Sequence, residues 1–172
     1  QKGSMKEPDD DQVVRQFLAT SEWLQQNGYE HYEISNFAKG GSYSRHNTAY
    51  WKGLPYLGLG PSAHSYNRTS RQWNISSVSG YIRAMLDRQP LHEHEVLTTD
   101  DRYNEYIMTG LRTMWGVDIQ FIGLEFGEAF KTHLLKEVKQ VNRSWYAMNN
   151  DKLTLTLRGM LYSDLITSQL ST

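Results

Sequence analysis

A chain of 172 residues is long enough for one ordinary domain, or for a small domain with a piece of a neighbour attached. Its 18 basic and 19 acidic side chains leave a net charge of -1, so no clustered positive field marks nucleic acid or a membrane surface as a partner. The absence of cysteine excludes disulfides, thiolate metal sites, cysteine nucleophiles and cysteine-held iron–sulfur clusters within the chain.

In chain order, the start Gln1 to Gln16 is polar where a signal peptide would be apolar. No apolar run approaches the roughly 20 residues of a membrane span, so a cytoplasmic protein without an integral membrane segment is expected. From Asp9 to Gln26, Val13, Val14, Phe17, Leu18 and Leu24 recur near helical spacing, and Asn27-Gly28 stops the pattern as a C-cap does. Tyr29 to Phe37 alternates aromatic or aliphatic with polar residues and predicts a strand ending at the turn-forming Lys39-Gly40-Gly41. Helix, glycine, strand is the signature of an α/β repeat. Pro55 to Gly60 predicts a second short strand, whose glycines signal close backbone approach. Ser65 to Ile75 predicts an irregular hairpin around Asn67 to Gln72, and Val78 to Arg88 a short helix capped by Ser77 or Ser79.

The polar stretch Gln89 to Glu95, with Pro90, is the best domain boundary. Beyond it, Thr98 to Asp101 opens a helix whose stripe of Tyr103, Tyr106, Ile107, Met108, Leu111 and Met114 runs to Trp115-Gly116. Asp118 and Gly127 open two more helices, the second carrying Phe130, Leu134, Leu135 and Val138. Trp145 to Met148 and Leu153 to Leu157 flank Asn149-Asn150-Asp151, a hairpin turn, and a final helix runs from about Leu157 to Leu170. The sum is an α+β fold whose last part resembles a winged helix.

The densest chemistry lies in Ser44 to Trp51 (SRHNTAYW). His46 beside Asn47, with Tyr50 and Trp51 four and five positions after the histidine, can ligate a metal and stack on a flat ring, or can equally form a surface loop with a buried Tyr–Trp anchor. Gly58 to Tyr66 (GLGPSAHSY) can turn backbone amides toward a carboxylate, phosphate or amino-acid group, or can simply be a tight turn. His92 and His94 flank Glu93 at metal-binding spacing but sit in the polar boundary stretch, where solvated side chains are the simpler reading. Lys152 and Arg158 would face nucleic acid if the winged-helix likeness were functional, yet the last helix carries Asp164 and little other charge.

Tyr32 to Ala38 (YEISNFA), Ser44 to Trp51 and Tyr56 to Tyr66 (YLGLGPSAHSY), taken in this order and spacing, resemble the radical S-adenosylmethionine haem chaperones, relatives of oxygen-independent coproporphyrinogen III oxidase. Arg71-Gln72-Trp73-Asn74, Leu97-Thr98 to Gly116-Val117-Asp118, and Leu153-Thr154 to Arg158-Gly159 agree with the same family, so that the resemblance covers nearly the whole chain from about Asp9. It implies a larger protein with a radical S-adenosylmethionine barrel, an early three-cysteine motif binding a 4Fe–4S cluster, and a carboxy-terminal domain typical of the family. Residues 1–95 then correspond to the end of the barrel with a connecting segment, and residues 96–172 to the carboxy-terminal domain.

The resemblance further implies that His46, Asn47, Tyr50 and Trp51 bind haem, with His46 as the one candidate metal ligand, to haem iron. Thr48 and His64 are the candidate S-adenosylmethionine contacts. The expected function is haem binding and delivery to a haem-accepting apoprotein; the alternatives are oxidative decarboxylation of coproporphyrinogen III and a non-catalytic docking module. Without cluster ligands, this chain alone is expected to be inactive as a radical enzyme. It is also expected to self-associate through an unpaired edge at residues 29–37.

Overall fold

A computed structural model describes residues 9–172, so the first part of the polar start Gln1 to Gln16 lies outside the described residues. Helix α1 spans Asp10–Gln26, with the Asp9 carboxylate accepting from the Gln12 N–H at 2.7 Å and Gly28 leaving the helix at φ 79°. It docks on the next element through one histidine. The Nε2–H of His31 donates to the Ile34 carbonyl at 2.9 Å, which leaves Nδ1 to accept from the Ser21 hydroxyl at 3.0 Å. Phe37 stacks on the same imidazole at 4.1 Å. Val13, Val14 and Trp23 of this helix stay exposed.

The single strand expected over Tyr29 to Phe37 is instead an antiparallel hairpin of β1 (Tyr29–Glu33) and β2 (Asn36–Lys39). The reason is local. The Glu33 carboxylate accepts from the Ser35 N–H at 2.9 Å and from the Asn36 side-chain amide, which pins a turn where the alternating pattern alone would run straight on. Every strand pairing among the described residues is antiparallel.

Helix α2 spans Arg45–Trp51. The expected strand at Pro55 to Gly60 is absent; only Tyr56 bridges to Tyr66, through two backbone hydrogen bonds of 2.9 Å. Gly58 lies so near that hairpin that an added Cβ would sit 2.2 Å from the His64 carbonyl oxygen, the close approach its glycine signals. Strands β3 (His64–Tyr66) and β4 (Ser70–Asn74) form the expected hairpin, and helix α3 (Val78–Leu86) takes Ser77 as its cap, whose hydroxyl accepts from the Gly80 N–H at 3.1 Å. The polar stretch Gln89 to Glu95 is more than a linker. Its second half enters β5 (His92–Val96), which pairs with β4 from Ser70 opposite Val96 to Asn74 opposite His92. Both faces of this edge strand are exposed, so no apolar alternation reveals it in the sequence.

The carboxy-terminal part follows its prediction more closely. Helix α4 (Thr99–Leu111) opens on a reciprocal capping box between Thr98 and Asp101, and these hydrogen bonds hold the Asp101 carboxyl below its usual range. Strand β6 (Val117–Asp118), helices α5 (Ile119–Glu125) and α6 (Glu128–Glu137), and strands β7 (Tyr146–Asn149) and β8 (Lys152–Leu155) follow, with sheet order β6-β8-β7. Asn150 and Asp151 turn the hairpin at φ 49° and 62°. Helix, strand, two helices and a hairpin make the winged-helix-like arrangement.

The single last helix expected from Leu157 is two, α7 (Leu157–Met160) and α8 (Ser163–Leu170). The break lets Tyr162 stack on Trp145 at 4.2 Å while α8 turns Ile166 and Leu170 into the core. That core, built on Tyr103, Ile107, Leu111, Ile122, Leu134 and Leu153, is 0–1% exposed, and each such side chain contributes about 1.5–3 kcal/mol. Its buried members all lie at or beyond Tyr103. Among the described residues before that position, only Tyr32, Ala38 and Ala84 are buried hydrophobics, so the amino-terminal half leans on its neighbour.

A buried ion pair and two backbone hydrogen bonds tie the hairpin to the end of α4. Glu33, 1% exposed, accepts from Arg112 Nε at 3.1 Å and Nη2 at 2.8 Å, while the Ile34 N–H donates to the Arg112 carbonyl and the Met114 N–H to the Tyr32 carbonyl, both at 3.0 Å.

Candidate functional site

The Ser44 to Trp51 segment is helical rather than a loop. Ser44 caps it by accepting from the Asn47 N–H at 3.3 Å, and the 3.6-residue period then puts His46 and Tyr50 one above the other on the same face. Their rings meet edge to face at 4.9 Å, with the His46 ring in solvent. The contact continues from Tyr50 to Tyr56 at 4.6 Å, from Tyr56 to Tyr66 at 5.9 Å, and from Tyr66 to the Arg71 guanidinium at 5.9 Å. His46, Tyr50, Tyr56 and Tyr66, from α2, the following loop and β3, therefore form one aromatic row.

Trp51 faces the other way, toward the carboxy-terminal half, where the Arg112 guanidinium lies 5.3 Å from its ring centre. The buried Glu33 carboxylate holds that guanidinium, so the hairpin, α2 and the end of α4 share one contact. The Trp51 Nε1–H and the Thr48 hydroxyl are both buried without a hydrogen-bond partner among the described residues. His64 stands apart. It is exposed on β3, stacked on its cross-strand neighbour Trp73 at 5.9 Å.

A groove of about 440 Å3 opens between α2, the β3–β4 hairpin and α4–α5. Tyr50, Trp51, Tyr66, Tyr106 and Phe126 wall it, while His46 and His64 do not. Burial pushes the Tyr66 phenol above its ordinary pKa and the Glu105 charge adds to that; Tyr106 is raised chiefly by burial as well. Both rings are thus neutral at physiological pH. Arg71 reaches Glu105 at 2.5 Å; burial opposes its charge, but that hydrogen bond and the surrounding anions outweigh burial and hold the guanidinium protonated. A second cavity of about 330 Å3 lies beyond Trp51, between Lys52, Trp115 and Gly116.

Structure therefore gathers Tyr50 and Trp51 at the groove, leaves His46 and Asn47 on the first turn of the helix outside it, and separates His64 from both. Sequence reading assigned no site role to Arg68, Arg71, Glu105 or Tyr106, taking Arg71 as part of a family-matching stretch and Tyr106 as part of the apolar stripe of α4. Only the cross-strand register and the packing of α4 bring these residues to the groove, and local spacing carries no sign of that. Among the described residues no three histidines, aspartates or glutamates converge on a metal position, and with no cysteine the chain does not fit an iron–sulfur cluster.

Residues 97–162 match the HemN C-terminal domain family. The heme chaperone HemW of Bacillus subtilis is 32% identical over 130 residues, covering 75% of this chain and 34% of that protein. HemW of Mycobacterium tuberculosis is 28% identical over 166 residues, covering 96% and 41%. A mitochondrial radical S-adenosyl methionine domain-containing protein 1 from Bos taurus is 32% identical, over 70% of this chain and 29% of its own. The solved structure of coproporphyrinogen III oxidase (HemN) from Escherichia coli, described as a radical SAM enzyme, superposes with a TM-score of 0.69 at 18% identity, over 96% of this chain and 42% of that one. The chain thus spans about a third to two-fifths of the length of the HemW relatives compared. Among the described residues, no helix is long and apolar enough to cross a membrane.

Proposed function

Because the chain belongs to the family of HemN and the HemW haem chaperones and carries that family's carboxy-terminal domain, we propose that it is the haem-handling part of a haem chaperone. The observation that carries this reading is the position of His46, exposed on α2 with Tyr50 edge-on at 4.9 Å. An exposed imidazole would leave a ring nitrogen free to ligate a haem iron, and the half-open Tyr50 ring would offer a face or edge to the macrocycle. Asn47 closes the first turn beneath the ligand, and Trp51 anchors the helix under Arg112.

Haem is the cargo here, to be passed to an apoprotein acceptor in the cytoplasm. The S-adenosylmethionine chemistry and the 4Fe–4S cluster belong to the rest of the whole protein, and no step is routed through them. Thr48 and His64 remain proposed S-adenosylmethionine contacts: the buried, unpartnered Thr48 hydroxyl suits a polar ligand group, whereas His64 reaches only a ligand lying on the β3–β4 surface. In the same proposal residues 1–95 complete the barrel, residues 96–172 form the carboxy-terminal domain, and the hairpin edge at residues 29–37 mediates self-association when its neighbours are missing. The likeness to coproporphyrinogen III oxidase concerns the fold alone.

Haem titration of this chain, followed by absorption spectroscopy with His46→Ala in parallel, tests the ligation. A saturable Soret shift lost in the variant is expected. Equal binding by both proteins overturns His46 as the ligand. For the whole protein, release of protoporphyrinogen IX from coproporphyrinogen III would instead identify an oxidase.

A further inference from the structure

We propose that the groove between α2, the β3–β4 hairpin and α4–α5 is a binding site for the carboxylate-bearing edge of a porphyrin, with Arg68 holding a propionate. This rests on the haem reading above and extends it to residues that the His-Asn-x-x-Tyr-Trp segment does not contain. Three observations carry it.

The first is charge. Lys52, Arg68, Arg71 and Arg102 line the groove against Glu105 and Glu125, which leaves a surplus of two positive charges. Arg71 pairs with Glu105 at 2.5 Å and Arg102 with Glu125 at 3.0 Å, so the surplus sits on Lys52 and Arg68. The Lys52 ammonium lies 4.7 Å over the Trp115 ring, while Arg68 takes part in no ion pair among the described residues. A porphyrin dicarboxylate carries two negative charges on one edge and a wide apolar face, and guanidinium is the side chain best matched to a carboxylate.

The second is shape and polarity. The groove holds about 440 Å3 behind walls of aromatic rings, which suits a flat apolar ligand entering edge first. Tyr50 is shared between these walls and the row that begins at His46, so a macrocycle over His46 extends naturally into the groove.

The third is the backbone. Arg68 sits at φ 80°, a left-handed conformation that a long L side chain rarely adopts. Asn67 enforces it, its side-chain oxygen accepting from the Thr69 N–H at 3.0 Å and the Ser70 N–H at 2.7 Å. Glycine would sit there without strain. An arginine held in such a conformation at the rim of a groove is placed rather than tolerated.

Metal-free protoporphyrin IX is the probe, because it cannot take an axial ligand and so reports the groove independently of iron ligation. Its binding to the 172-residue chain would be followed by fluorescence, beside protoporphyrin IX dimethyl ester, for the wild type, Arg68→Glu, Arg68→Gly and Arg68→Lys. Arg68→Gly relieves the left-handed backbone, so its loss of binding cannot be a folding defect. We expect saturable binding of the diacid, at least tenfold weaker binding of the ester, a similar loss in the Glu and Gly variants, and partial rescue by Lys. Equal binding of acid and ester, or unchanged binding in both Arg68→Glu and Arg68→Gly, overturns the groove site. A His46-dependent haem Soret shift accompanied by that result would leave the ligation reading standing. Arg68-dependent protoporphyrin binding without any His46 effect on haem would support the groove and remove the ligand.

Discussion

Arg112→Met removes the cation from the buried junction between the two halves while keeping most of the side chain's length. The Glu33 carboxylate, 1% exposed, would retain only the Ser35 N–H and the Asn36 amide as donors after losing the two Arg112 bonds at 3.1 and 2.8 Å. Stripping one partner from a buried pair costs about 3–5 kcal/mol. Arg112 is itself 28% exposed, so water can enter the space it leaves, and the expected loss is near the lower end, about 3 kcal/mol. Urea denaturation followed by circular dichroism should show this as a midpoint lowered by roughly 1–3 M, given slopes of about 1–3 kcal/mol/M. Adding Glu33→Gln to Arg112→Met removes the stranded charge and should recover part of the loss, which a double-mutant cycle would read as coupling. A loss below about 1 kcal/mol for Arg112→Met, with no recovery in the double variant, would mean that the pair does not bind the halves together.

Two further perturbations probe the carboxy-terminal core. At Gly159 an added Cβ would stand 1.8 Å from the Trp145 carbonyl oxygen, so Gly159→Ala must displace backbone; a loss at or beyond the top of the usual 1–3 kcal/mol for overpacking is expected in thermal or urea unfolding, and a neutral substitution would refute the close approach. Burial holds the Tyr103 phenol far above 10.0, its ordinary value, with its hydroxyl donating to the Leu170 carbonyl at 3.0 Å. The unfolded chain therefore loses this proton first, so the contribution is intact below about pH 10 and is lost as pH rises beyond it, at about 1.4 kcal/mol per pH unit. Tyr103→Phe should flatten the alkaline limb of stability against pH, and an unchanged limb would show that Tyr103 is not its source.

Much of the carboxy-terminal half was legible along the chain. Thr98, Asp118 and Gly127 mark helix starts because caps act within one turn, and Asn150-Asp151 marks a hairpin because few residues accept two successive left-handed conformations. The motifs of the first half pointed to the family, and the family model and relatives agree. Elements went unread where the local pattern suits two structures equally. Alternation through Tyr29 to Phe37 fits one strand or a hairpin, and β5 has no buried face to give it a period.

For this protein the sequence by itself determined the caps, the turns, the apolar periodicity of α4 and α6, the exclusion of thiolate chemistry, and the family, since each depends on residues that are neighbours in the chain. Only the tertiary structure decided that Glu33 is a buried anion answered by Arg112, that Tyr50, Tyr56 and Tyr66 form one row, and that Arg68 and Glu105 meet at one groove. Those pairings span up to 79 residues, and burial and long-range contact are set by packing that no local spacing encodes.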